Sequence, residues 1–170
     1  MKNIILIGMP GCGKSTVGVL LAKAMGFRFI DTDITIQERT GMLLQQIIDN
    51  KGLDWFCIEE ERAILSVEEE GGCVIATGGS AVYSRSAMLH LKEHGYVYYL
   101  SLPVEQVERR LHNIKTRGIA MRPEDSIEDV FRRRRALYEE YADITVECQG
   151  KSIEETVEEI CGEHRLIGGK

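Results

Sequence analysis

Residues 8–16 read GMPGCGKST. Gly8, Gly13, Lys14 and Ser15 stand at the fixed places of G-x-x-x-x-G-K-[ST], a loop that wraps a phosphate chain. The glycines let backbone N–H groups turn inward around anionic oxygens, and the helix that follows presents its positive N-terminus to them. Lys14 can bridge the β- and γ-phosphates of a nucleotide, and the Ser15 hydroxyl can ligate Mg²⁺. The competing dinucleotide fingerprint fails, because Gly11-x-Gly13 is followed by Thr16 where a third small residue is needed. Cys12 inside the loop is either a small filler or a thiol activated by the helix start.

Three further groups could act on an acceptor. Asp31 and Asp33 lie two apart at the end of a strand-like run, so both can point to one side. One carboxylate can hold a metal-bound water while the other takes a hydroxyl proton; alternatively, Asp33 caps the helix that follows. Thr77-Gly78-Gly79 ends a second such run, where two glycines permit close backbone approach to a ligand or make a tight turn. In the helical pattern from Ser126, the apolar residues Ile127, Val130, Phe131, Leu137, Tyr138 and Tyr141 share one face, and Arg134 falls within that stripe. Arg132, Arg133 and Arg135 fall off it and read as a solvated face. An inward arginine needs an anionic partner, either an internal carboxylate or the substrate.

These residues need elements to hold them. Strand-like runs at 3–7, 28–31, 73–77, 96–100 and 144–147 alternate with helical patterns at 14–25, 33–50, 54–70, 84–93, 104–113, 126–141 and 152–164. That alternation predicts α/β architecture with a parallel sheet covered on both faces. The polar, Gly-containing stretch 115–125 between two helices reads as a loop able to move. His90 and His94 share a helix face but lack a third ligand nearby, so they read as a polar surface pair.

Bulk properties narrow the class. A chain of 170 residues is one domain, large enough to bury a core unaided. A net charge of −6 argues against a nucleic-acid binder. No run reaches the roughly 18 apolar residues of a membrane span. Met1-Lys2-Asn3 leads straight into a strand without a signal-peptide pattern. Five cysteines, scattered and without a CxxC, suit free thiols. The expectation is a cytoplasmic monomer whose partner is a small-molecule acceptor, with no nucleic acid and no membrane.

Taken together, the blocks GMPGCGKSTVG, FIDTDITIQERTG, ATGG, the pair Arg122-Pro123 and RRALYEEYADITVE resemble the shikimate kinase family of P-loop small-molecule kinases. The likeness runs over nearly the whole chain. It implies a three-layer P-loop kinase fold, with a five-stranded parallel sheet flanked by helices. It also implies a substrate-binding subdomain near 33–60, a lid near 115–125, and ATP and Mg²⁺ as cofactors. By the same resemblance Gly11, Cys12, Gly13, Lys14, Ser15 and Thr16 would bind nucleotide, with Arg110 or Arg117, or Arg109, near the adenine. Asp33 would hold and activate the acceptor hydroxyl, and Asp31 would assist Mg²⁺ beside Ser15. Gly78 and Gly79 would lie against the acceptor, Arg134 would bind its carboxylate, and Arg122 would reach the transferring phosphate.

The chain departs from the family pattern on the acceptor side. Cys57 stands where an arginine would make a second contact to the carboxylate. A thiol there removes charge-assisted hydrogen bonds worth roughly 1.5–3 kcal/mol each. Arg62, five residues on, faces roughly 140° away and is a poor substitute. Ser80 replaces a third glycine, Glu124-Asp125 follow Pro123 where two apolar residues are usual, and Trp55 is a bulky neighbour. Four readings remain open: a diverged shikimate kinase, a sister kinase for another hydroxy acid or an amino acid such as homoserine, a nucleoside-monophosphate kinase, and a nucleotide-binding sensor without turnover.

Overall fold

The computed structural model describes residues 1–68, 71–112 and 119–168. Five strands, β1 (Asn3–Ile7), β2 (Arg28–Asp31), β3 (Cys73–Ala76), β4 (Gly95–Ser101) and β5 (Ile144–Glu147), form one sheet in the order β2-β3-β1-β4-β5. Every pairing is parallel. β1 is central and apolar throughout after Asn3, as a strand covered on both faces must be. The helices α1 (Lys14–Met25), α2 (Thr32–Thr40), α3 (Leu44–Lys51), α4 (Leu53–Leu65), α5 (Arg85–His94), α6 (Val104–His112), α7 (Ile127–Tyr141) and α8 (Ile153–Gly168) complete the α/β architecture. None of the described helices is long and apolar enough to cross a membrane.

All five strand positions agree with the sequence expectation to within a residue, because each is a β-branched or aromatic run bounded by turns. The helical expectations differ from the structure in several places; α8, expected to end at 164, runs to Gly168. The single helix expected over 33–50 is two, α2 and α3, broken at Gly41, which takes the left-handed conformation (φ 66°) that ends α2. The helix expected over 54–70 stops at Leu65. A single 3-10 turn, Ala81–Tyr83, was not legible, being too short to carry a period.

Two apolar clusters result. The larger joins the sheet to its flanking helices, with Ile4, Ile5, Leu6, Val74, Ile75 and Val97 fully buried. A smaller one gathers Ile36, Ile47, Phe56, Ala63 and Ala120 beneath the acceptor side, one residue from each of α2 and α3, two from α4, and one from the segment before α7. Trp55 and Cys57 pack against this smaller cluster.

Because the strands are parallel, their carboxyl ends meet at one edge of the sheet, where β1 runs into the glycine-rich loop, β2 into Asp31 and β3 into Thr77-Gly78-Gly79. Polar clamps hold that edge and its opposite. Thr77 donates from both N–H and Oγ to the Leu6 carbonyl (3.1 Å each). At the far end, buried Asn3 accepts the Cys73 N–H on Oδ1 (3.0 Å). Asn3→Ala leaves that N–H without its partner. Urea denaturation is expected to show a loss of about 1–3 kcal/mol, with catalytic constants unchanged.

Candidate active site

One cavity of about 390 Å³ opens at the carboxyl edge, lined on one side by Gly11, Gly13, Lys14, Ser15 and Thr16. Its other side carries Asp31, Asp33, Glu60, Gly78, Gly79, Ser80 and Arg134. The sequence-expected donor and acceptor halves therefore share one space.

The donor half is built by the loop between β1 and α1. Gly8, Gly11 and Gly13 have φ of 145°, 78° and 100°, values that side-chain-bearing residues rarely adopt. Gly13 ends the loop, and α1 starts at Lys14 with no side-chain cap on its first N–H groups, which leaves them free to face an anion. The Lys14 ammonium folds over the loop and donates to the Gly8 and Met9 carbonyls (2.7 and 2.8 Å). Cys12 is buried in the loop, its sulfur 3.7 Å from Lys14 Nζ. Arg110 at the end of α6 donates to the Gly11 carbonyl (3.2 Å), which sets it beside the loop. Arg109 is exposed. Arg117 lies outside the described residues.

Asp31 joins the two halves. Its Oδ2 accepts the Ser15 hydroxyl (2.6 Å), and its Oδ1 accepts the Asp33 N–H (3.0 Å) at the start of α2. Asp31, then, is the helix cap, and the alternative that Asp33 is spent on capping is corrected. Asp33 sits in the first turn of α2 and faces the cavity. Ser15 and Asp31 offer two adjacent oxygens, and the described residues hold no cluster of three or more His, Cys, Asp or Glu that could cage a metal. That donor set fits Mg²⁺, which keeps most of its waters and takes its remaining ligands from phosphate oxygens.

The acceptor half hangs on α7, started by a capping box in which Ser126 Oγ accepts the Asp129 N–H and Asp129 Oδ2 accepts the Ser126 N–H (3.1 Å each). Arg134 is 1% exposed, inside the domain as the helical stripe demands. Its Nε donates to the Tyr83 hydroxyl (3.4 Å), its Nη2 to the Ala120 carbonyl, and its guanidinium stacks over the Tyr83 ring. Nη1 has no protein partner. One turn on, the buried Tyr138 hydroxyl donates to the Gly79 carbonyl (2.5 Å) and fixes the glycine turn against α7. Gly78 donates its N–H to Thr32 Oγ1 (3.2 Å), which fixes the same turn against α2.

Sequence reasoning missed Glu60. It stands in the run Glu59-Glu60-Glu61, which reads as a solvated charged face, yet it is 2% exposed and lines the cavity. Its Oε2 accepts the Ser80 hydroxyl (2.5 Å), while Oε1 has no partner. Burial pushes its carboxyl up to about 7; the Ser80 hydrogen bond opposes that rise and the nearby Asp33 charge adds to it. The helical period offered the only signal, since Phe56, Glu60 and Ala63 recur on the buried face of α4.

Several expected residues fall elsewhere. Cys57 does not line the main cavity; it lines a neighbouring one of about 190 Å³, beside Glu60, Ser80 and Tyr83. Burial raises its thiol above the ordinary range, with Glu60 adding to the rise. Trp55 packs against the smaller core and does not reach the cavity. Arg122 is exposed and also does not line it. Arg62 pairs with Glu59 (2.6 Å), so it does not replace the missing arginine. His90 and His94 bond backbone carbonyls of Val67 and His90, and their rings lie 4.6 Å apart.

Glu60 makes stability depend on pH in a defined direction. Between pH 4.5 and about 7 the folded protein holds a proton that the unfolded chain has released, so its contribution falls as pH rises through that window. The full fall is about 3 kcal/mol. Thermal unfolding at about pH 5 and pH 8 checks this: Glu60→Gln is expected to gain stability relative to the parent at the higher pH.

Comparison with known proteins agrees with this geometry. The family model described as shikimate kinase matches residues 10–164. The shikimate kinase of Haemophilus influenzae is 41% identical over 148 residues, 85% of this chain and 82% of the relative. That of Thermodesulfovibrio yellowstonii is 37% identical across 100% of this chain and 99% of its own. Among solved structures, the shikimate kinase of Acinetobacter baumannii in complex with shikimate superposes with a TM-score of 0.87 at 30% identity, covering 100% of this chain and 95% of that one. The Aquifex aeolicus enzyme gives 0.83 at 35% identity, covering 98% and 99%. With a phosphate loop, a carboxylate pair and a buried arginine around one cavity, and with relatives along its whole length, the chain belongs to the shikimate kinase family of phosphotransferases.

Proposed function

We propose that the chain catalyses ATP- and Mg²⁺-dependent phosphoryl transfer to a hydroxyl of a small, carboxylate-bearing acceptor. The observation that carries this reading is the single cavity holding both the phosphate loop and the unpartnered Nη1 of Arg134. Shikimate, the acceptor bound in the Acinetobacter relative, is the default acceptor. A second reading, another hydroxy acid or an amino acid, is favoured by Cys57 standing where the family pattern has an arginine.

In this reading the amides of residues 11–16 and Lys14 hold the nucleotide phosphates, and of the arginines expected near the adenine Arg110 already stands beside the loop. Lys14 exchanges its two carbonyl partners for phosphate oxygens. Ser15 and Asp31 would hold Mg²⁺, which would supply charge neutralisation on the phosphate oxygens. Asp33 accepts the proton of the acceptor hydroxyl as the oxygen–phosphorus bond forms and the bond to the departing ADP breaks. Arg134 holds the carboxylate, Gly78 and Gly79 let the acceptor close on the backbone, and Ser80 and Cys57 border the acceptor side. The lid expected over 115–125, of which 115–118 lie outside the described residues, carries Arg122 to the transferring phosphate and excludes water. The protein works as a cytoplasmic monomer in amino-acid biosynthesis.

ADP release coupled to acceptor, over shikimate and related hydroxy acids, tests the reading. Acceptor-dependent turnover that stops when Mg²⁺ is chelated is expected. ATP binding without turnover on any acceptor would instead make the chain a nucleotide-binding sensor, and transfer to AMP or CMP a nucleotide kinase. Asp33→Asn is expected to cut kcat by about 10²–10⁴-fold with ATP affinity, by calorimetry, preserved; a nearly normal rate would remove Asp33 from the proton-accepting role.

A further inference from the structure

Among the described residues, two buried side-chain atoms have no hydrogen-bond partner, Glu60 Oε1 and Arg134 Nη1. Both side chains are almost completely buried, at 2% and 1% exposure. They stand over neighbouring glycines. A Cβ on Gly78 would come 2.1 Å from Glu60 Oε1, and one on Gly79 would come 3.0 Å from Arg134 Nη1. Glu60 and Arg134 both line the main cavity, so an anionic and a cationic binding group open to one space beside neighbouring positions of the glycine turn.

Glu60 forms no salt bridge with the described residues; Arg134 and Lys14 act on it only from longer range. Arg39 and Arg62 both go to Glu59 (3.9 and 2.6 Å). Cys57, one turn before Glu60 on α4, offers a neutral thiol in place of the family's arginine. Ser80, the other departure from the family pattern, donates to Glu60 Oε2. Both substitutions thus converge on the same carboxylate, one withdrawing a charge and the other supplying a neutral hydrogen bond. The nearby Asp33 charge acts on Glu60 as well. Asp33 Oδ1 lies 2.8 Å from the Gly78 Cβ point and Glu60 Oε1 lies 2.1 Å from it, so the two oxygens are at most 4.9 Å apart. Carboxylates that close favour a cationic group at Oε1. A neutral hydroxyl, all that shikimate could offer Oε1, gives a hydrogen bond but brings no charge, whereas an ammonium gives both.

We propose that Glu60 Oε1 is the binding group for an ammonium on the acceptor, so that the acceptor class is a hydroxylated α-amino acid. Its carboxylate sits on Arg134 Nη1, its ammonium on Glu60 Oε1, and its hydroxyl at Asp33. This rests on the kinase reading above and decides between its two acceptors. The cation supplied elsewhere in the family by the protein is here supplied by the ligand, and Cys57 with Ser80 sets that selectivity.

The test is kcat/KM for matched acceptors with and without the amine, L-homoserine against 4-hydroxybutyrate and L-serine against 3-hydroxypropionate, with shikimate alongside. The parent protein is expected to favour the better amine-bearing acceptor over its deaminated partner by about 10- to 100-fold. Glu60→Gln is expected to collapse that ratio toward one with MgATP affinity unchanged, a change that loss of structure alone would not produce. Cys57→Arg, alone and with Ser80→Gly, is expected to move the preference toward shikimate. A parent protein that uses shikimate best, or a preference that survives Glu60→Gln, overturns the proposal while leaving the kinase reading intact. ADP release with none of the five acceptors overturns both. The ratio in the parent protein decides the matter even where a variant does not fold.

Discussion

Asp31 places one carboxylate oxygen on the Ser15 hydroxyl and the other on the N–H of Asp33, and the rest of the site is arranged around that pair of hydrogen bonds. Ser15 belongs to the helix behind the phosphate loop, and Asp33 opens the helix on the acceptor side. A single side chain at the end of β2 therefore fixes the distance between donor and acceptor. The sheet supplies its position, since β2 pairs in register with β3 and β3 with β1. Thr77 and Thr32 then tie the glycine turn after β3 to β1 and to α2. Each bond is ordinary in strength; their value is that they close a ring around the space where transfer must occur.

Strands and the phosphate loop were legible in the sequence because each is specified locally. Five short apolar runs between turns can only be strands, and G-x-x-x-x-G-K-S carries its own backbone requirements. Arg134 was legible for a different reason: the helical period of α7 put it on a buried stripe, and burial of a guanidinium demands function or pairing. What was not legible depends on tertiary contact. Gly41 ends a helix only because the chain must turn to bring α3 under α4. Glu60 is buried because α4 packs against α2 and the turn after β3, and nothing in Glu59-Glu60-Glu61 says which of the three goes inward. Cys57 is displaced for the same reason: resemblance to the family pattern put it near the acceptor, while the packing of α4 sets it in the adjoining cavity beside Glu60.

Membership of the shikimate kinase family and divergence on the acceptor side are compatible because the two halves of the site are built by different elements. The donor half rests on β1, α1 and Asp31, which close on themselves through backbone and short side-chain bonds. On the acceptor side, α4, the 3-10 turn and α7 meet through side chains alone, so substitutions at positions 57 and 80 can alter charge there without touching the phosphate loop. Glu60 is the point at which both substitutions register.

Ala120 belongs to two structures at once. Its side chain is part of the small core under α2, α3 and α4, and its carbonyl accepts Arg134 Nη2. The chain is thereby moored two residues before Arg122. Whatever path Arg122 takes toward a phosphate, its backbone tether from that mooring is about 7 Å at full stretch. The arginine's travel is that of a short leash, and its anchor is the side chain that grips the acceptor's carboxylate in the proposed reading.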